Sequence, residues 1–400
     1  MKKQRNNRLV PILLFLAVFA TAFAGLRYTF LQKEYFGLFL NTPDYWSELW
    51  SGPHPLWTLC GDFLSQFYRA AWVGPALLAL GVTLVFLLVR IPLRRYQIPL
   101  AILAFAAVAV VVLLPKTRER ERWAKVEYAC LHQQWDKVIA AATPEAAAKD
   151  RVLIPYALLA HSENGTLPEN LFRYPVSGPE DIDLEGELTR HGYYFNAIQA
   201  ECIGCVNEAI HNTFQTACTT PHGTSHGTLR QLIKLNIASG NRTMARKYAE
   251  ILARNPMNAS TARSAIRYID GMPAISYLDG GPSDSASIIS HNTFQNMRLL
   301  AQEGCFNEAA ADRARCLLLL QRDIRNFSAS FPADADIAAL PLCYQQALCL
   351  VSDADIQQKL PVSVTNALRV YMEAYNKVRT KEDDPIMPGS FWDYYFLYQF

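Results

Sequence analysis

Charge of one sign is missing from this chain: 38 lysines and arginines stand against 36 aspartates and glutamates, a net of +2 over 400 residues. No whole-chain field draws it toward nucleic acid or an acidic substrate, and no basic stripe with interleaved aromatics supplies a local one. Strand signals are nearly absent behind residue 115, where no alternation of β-branched residues persists, and this excludes a β-rich soluble part. A glycine-rich phosphate loop, an HExxH pair, a nucleophile-elbow serine and a Ser/His/Asp spacing are also missing. The sequence therefore names no catalytic residue, no metal ligand and no cofactor, and it assigns no binding residues.

Long uncharged apolar runs are present instead. Ala70–Val89 holds twenty residues without a charge, Arg90, Arg94 and Arg95 follow around Pro92, and Tyr96–Pro115 is a second clean window of twenty. About 20 apolar residues, each rising 1.5 Å in a helix, cover the ~30 Å of hydrocarbon in a bilayer. One arginine at mid-bilayer costs roughly 2.5–3.5 kcal/mol on insertion scales, so two clean windows in succession point to two spans. Ahead of them, four basic residues in Met1–Arg8 precede the uncharged window Leu9–Leu26. That window is either a first span or a secretory signal ending near Thr21-Ala22-Phe23-Ala24-Gly25, and the two spans behind it favour a retained helix. A membrane region over residues 1–115 follows, with spans near 9–26, 70–89 and 96–115. Pro11, Pro75 and Pro99 each fall early in a window, where a first helical turn tolerates a missing N–H.

The connection from Arg27 to Arg69 is rich in aromatics. Trp57, Cys60, Leu64 and Phe67 fall on one helical face, which predicts an amphipathic helix at the lipid headgroups. The sharper alternative is a site for a lipid-linked substrate, as in a membrane glycosyltransferase. It needs paired acidic side chains, whereas Glu34, Asp44, Glu48 and Asp62 are scattered along the connection.

Behind Glu119 the pattern is of short helices and brief turns, with an internal repeat. Gly204-Cys205-Val206-Asn207-Glu208-Ala209 returns as Gly304-Cys305-Phe306-Asn307-Glu308-Ala309. Gln133, Gly165, Gly204, Gly240, Gly271 and Gly304 serve as markers with a mean spacing of about 34 residues. At each marker a left-handed residue is expected to end one helix. A large residue two positions on starts the next helix, and a small one five positions on lets the two backbones approach.

These units resemble degenerate tetratricopeptide repeats over roughly residues 119–327, a likeness carried by the period and by few of the letters. The resemblance implies an all-α fold: three transmembrane helices followed by an α-solenoid of helix pairs over residues 116–330. Residues 331–400 supply C-terminal capping helices, expected at Asp336–Val351 and Ser363–Arg379, and an aromatic tail. Phe391–Phe400 holds seven aromatics in ten residues and is expected to pack back on the array or to reach the bilayer. The layout also resembles that of membrane-anchored proteins of Gram-negative bacteria. With the basic start and the Arg90–Arg95 break in the cytoplasm, the soluble part is expected on the periplasmic side of the inner membrane.

Nine cysteines leave at least one without a disulfide partner. Cys202 and Cys205 form a CxxC, with Cys218, His222 and His226 beyond. Cys205 and Cys305 nevertheless share one slot of the repeat, so small buried thiols are expected rather than zinc or a redox pair. The histidines of the loop Thr219–Thr228 are expected to be solvated. The reading as a whole is a membrane-anchored helical-repeat scaffold or adaptor without enzymatic activity. Its partners are the lipid bilayer and a protein held by the repeat face, with no nucleic acid. An enzyme or transport component working on a lipid-linked substrate through residues 27–69 is the alternative.

Overall fold

The computed structural model describes residues 2–182, 189–271, 308–378 and 385–397, and every regular element among them is helical. The first six helices are α1 (Lys2–Phe36), α2 (Pro43–Ser51), α3 (Pro55–Ser65), α4 (Val73–Arg90), α5 (Gln97–Leu113) and α6 (Pro115–Leu131). The middle of the chain forms α7 (Trp135–Ala141), α8 (Pro144–Lys149), α9 (Leu153–Glu163), α10 (Leu167–Asn170), α11 (Arg190–Cys202), α12 (Val206–Cys218), α13 (His226–Ala238), α14 (Arg242–Leu252) and α15 (Ala259–Gly271). The last part forms α16 (Glu308–Leu320), α17 (Ile324–Ala329), α18 (Leu342–Leu348), α19 (Ala354–Lys359), α20 (Val362–Val378) and α21 (Phe391–Phe396). Two compact units result, each discontinuous in sequence. Residues 2–128, 189–194 and 210–271 make the first, and 129–182, 195–209, 308–378 and 385–397 the second.

In the first unit α1 is the element on which the others pack. Leu14 and Val18 are buried against Ala79 and Phe86 of α4, with Leu100 and Ala104 of α5 beside them. The outward side chains Leu13, Val85, Leu88, Ile102 and Leu103 are each more than 60 % exposed, an apolar exterior that suits lipid rather than water. α1 over Leu9–Phe36 and α4 are both long and apolar enough to cross a membrane. α5 and α6, bent by 63° at their junction, make a third if the pair counts as one span.

The structure corrects two details of the first span. Pro11 lies inside α1, which begins at Lys2; a proline there costs one ladder hydrogen bond without ending the helix. The connection also starts later than Arg27, because residues 27–36 continue α1 to Phe36 and the first helix breaker is Gly37. At 35 residues the helix is roughly 50 Å long and outreaches the hydrocarbon. Its last turns accordingly pack on protein. Glu34 forms a two-pronged ion pair with Arg230 of α13 at 2.6 and 2.7 Å, and Tyr35 donates to Gln231 at 2.6 Å. Gly227 of α13 lies so close to the Tyr35 ring that any side chain there would collide with it, and Gly74 of α4 meets the Phe30 ring in the same way.

Four of the six marker positions have the left-handed conformation expected of them: Gln133 (φ 53°), Gly165 (66°), Gly204 (82°) and Gly240 (75°). In each case the next helix begins two residues later, at Trp135, Leu167, Val206 and Arg242. At Gln133, Gly165 and Gly204 the turn is closed by the same bond, from the following N–H back to the carbonyl five residues before it (2.8 Å each). Val138, Ala209 and Ala245, five positions after their markers, are fully buried. Gly271 departs from the expectation: it is the last residue of α15 and lacks a positive φ. Gly304 and Cys305 lie outside the described residues. Arg322 (φ 59°) makes a further turn of this kind between α16 and α17, with no glycine to advertise it.

At the C-terminus of the second unit, the helix expected over Asp336–Val351 is broken. Pro341 holds Leu340 extended, so a 3-10 turn at Ile337–Ala339 precedes the shorter α18. α20 covers Val362–Val378, and Arg379 lies outside the described residues. The aromatic tail packs back: Phe391 and Trp392 are fully buried, and the Trp392 indole donates to the Gln346 carbonyl at 2.9 Å.

Two stability measurements test this account. Alanine at Gly204 or Gly240 must adopt a positive φ and is expected to cost about 1–2 kcal/mol each, whereas Gly271→Ala is expected to be neutral or stabilising. Denaturant titration of the detergent-solubilised protein reads the contrast. In the same assay Arg230→Met, which strands the buried Glu34 carboxylate, is expected to cost roughly 3–5 kcal/mol, and adding Glu34→Leu is expected to restore much of it.

Candidate functional site

The chain leaving α1 is held in a defined path. His226 donates its backbone N–H to the Gly37 carbonyl at 2.9 Å, and Asn41 donates to the Arg254 carbonyl at 3.2 Å. Phe39 is held at both backbone groups: its N–H donates to His226 Nε2 at 3.0 Å, and its carbonyl accepts from Asn255 at 2.7 Å. Burial holds the His226 imidazole below the usual histidine range, so it stays neutral and keeps the lone pair that Phe39 needs.

From this strap the chain enters α2, where the Thr42 hydroxyl accepts the Tyr45 N–H at 3.3 Å, and then α3. Two acidic residues that are far apart in sequence meet here. Glu48 of α2 lies 3.3 Å from His222 Nδ1, and Asp62 of α3 lies 3.0 Å from His222 Nε2. Asp62 also accepts the Tyr45 hydroxyl at 2.8 Å. These groups line or underlie a cleft of about 440 Å³, whose walls include Leu38, Asp44, Tyr45, His222, Lys247 and Arg254.

The scatter of acids along the connection is thus resolved unevenly. Glu48 and Asp62 converge on His222, Asp44 lines the same cleft, and Glu34 is taken up by Arg230. The expectation of solvated loop histidines is overturned: the His222 side chain is 12 % exposed and His226 is fully buried. Their partners lie on elements distant in sequence, so the loop's own composition carried no sign of them. Tyr45 and His222 were the residues missed. The Cys202–Cys205 pair and Cys218 do not share this site; Cys205 is buried and Cys218 exposed. Among the described residues no three His, Cys, Asp or Glu side chains are grouped as metal ligands.

The electrostatics define what the cluster can do. The hydrogen bond to Asp62 raises the His222 pKa, with the two carboxylate charges adding and burial opposing. With a carboxylate against each ring nitrogen, the imidazolium form donates at both. The Tyr45 phenol is pushed well above its usual range by burial and by Asp62, so it stays protonated and donates to Asp62. The arrangement ties α2, α3 and the 219–225 loop into one wall.

A second cavity, about 660 Å³, opens between α4 and α5 and is almost wholly apolar, with Phe30, Leu64, Tyr68, Gly81 and Ala104 among its lining residues. On α3, Leu56 and Trp57 are 66 % and 82 % exposed, and Phe67, expected on one face with Trp57, Cys60 and Leu64, lies beyond the helix end at Ser65.

Comparison with known proteins places the chain in a family. A family model described as a family of unknown function (DUF6057) matches residues 2–118 and 112–400, and the protein belongs to that family. Neither a curated protein nor a solved structure matches it.

The raised His222 pKa has a signed consequence. Its stabilisation is complete below the unfolded histidine pKa of about 6.5 and is lost as pH rises through the higher folded value. The drop in melting temperature caused by His222→Gln is therefore expected to be larger near pH 5.5 than near pH 9. A gap that is equal at both would remove the ion-pair account of this histidine.

Proposed function

We propose that the protein is a membrane-anchored helical-repeat scaffold or adaptor that binds a protein partner and carries out no reaction. Its membrane part lies in a bacterial inner membrane, and its helical part is on the periplasmic side. The observation that supports this best is the recurrence of one turn geometry at Gln133, Gly165, Gly204 and Gly240, each opening the next helix two residues on. Degenerate tetratricopeptide-like pairs built this way expose helix faces that hold segments of other proteins. Exposed apolar side chains such as Phe214, Tyr268 and Val370, 49 %, 62 % and 61 % exposed, are the contact points on this reading.

The test uses the full chain in its membrane, because residues 210–271 pack with the membrane helices and a fragment starting at Glu119 would cut that unit. A photocrosslinking amino acid at Phe214, Tyr268 or Val370 is expected to give a discrete adduct with another protein. The same group at the lipid-facing position Leu88 is expected to give none. If all four positions yield only lipid adducts, the scaffold reading fails.

A further inference from the structure

The charges lining the 440 Å³ cleft are not all used by the protein. Glu48 is engaged with His222, and Glu250 with Arg246 at 3.6 Å. Three charged side chains remain without a partner among the described residues: Asp44 on α2, Lys247 on α14 and Arg254 in the turn behind α14. Lys247, Glu250 and Ile251 share one face of α14, at i, i+3 and i+4, and Arg254 follows in the turn behind the helix, so this end of α14 lines the cleft. All three side chains are exposed, so their charges face the mouth of the cleft.

We propose that this cleft binds a small zwitterion, with an ammonium group against Asp44 and a phosphate or carboxylate against Lys247 and Arg254. A simple anion meets Asp44, Glu48 and Glu250, and a simple cation meets Lys247 and Arg254. Only a ligand carrying both charges satisfies both walls. Arg254 can bond two oxygens of a phosphate or carboxylate, and Lys247 adds a point charge. The volume lies within the ~300–1,000 Å³ usual for small-molecule sites, and Leu38, Leu40 and Ile251 give it an apolar lining. The same chemistry is carried by a free aminoalkyl phosphate and by the headgroup of a zwitterionic phospholipid. The neighbouring α3, with Leu56 and Trp57 exposed, suits the second source. The site does not depend on the scaffold reading, since a protein partner on the helical faces is neither required nor excluded by it.

The test is made on the full-length protein in detergent and in nanodiscs. Calorimetric titration with phosphoethanolamine measures the free source. Retention of phosphatidylethanolamine over phosphatidylglycerol, read by native mass spectrometry, measures the lipid source. Binding in either arm, weakened about tenfold or more by Asp44→Asn and by Lys247→Gln with Arg254→Gln, is the expected result. Arg267→Gln on α15, outside the cleft, is expected to leave binding unchanged, and unaltered melting and gel-filtration profiles show that the variants fold. Two results would overturn the proposal: no binding in either arm, or glycerol 3-phosphate, which lacks the ammonium, binding as well as phosphoethanolamine.

Discussion

The Glu34–Arg230 ion pair is the contact on which the first unit depends. It joins the end of a helix that begins in apolar surroundings to a helix almost two hundred residues later, and the Glu34 side chain is only 5 % exposed. A carboxylate so placed is tolerable only with a cation and good geometry, which the two-pronged contact supplies. The consequence is specificity of pairing. With Arg230 opposite Glu34, Gln231 meets Tyr35 and Gly227 admits the Tyr35 ring, so the register of α13 on α1 has one satisfactory setting.

That register carries the cleft with it. Once α13 is seated, His226 and Asn255 can take the backbone groups of Phe39, and the strap after α1 has no freedom to wander. α2 and α3 then start from a defined point, which allows Glu48 and Asp62 to meet on one imidazole. Rings continue the same fixation: Phe39 contacts Tyr45, Trp46 and Phe63 at centroid distances of 5.6, 6.2 and 5.3 Å. The residues missed in the sequence are those whose role comes from this chain of contacts.

The parts of the fold that were legible share one property: their cause is local. Clean apolar windows mark helices that suit lipid because hydration is decided residue by residue. The markers at Gln133, Gly165, Gly204 and Gly240 were readable from their spacing, and at Gly204 and Gly240 a buried alanine follows at the same offset. Arg322 was not readable, because arginine in that conformation carries no signature. Pro341 was visible, yet the break it imposes was passed over in favour of the apolar pattern around it. His222 and Asp62, 160 residues apart, could not be connected by any local rule.

The same geometry changes the weight of the two functional readings. The case for chemistry in the connection asked for paired acids, and a pair is present, yet it is spent on His222. Both ring nitrogens are engaged by carboxylates and the Tyr45 hydroxyl donates to Asp62, so these groups are held by one another. The ligand proposed for the cleft meets other groups, Asp44, Lys247 and Arg254, which also line it. A binding role is the common ground of the two proposals, one resting on exposed side chains of the helices and the other on the cleft beside the apolar helices.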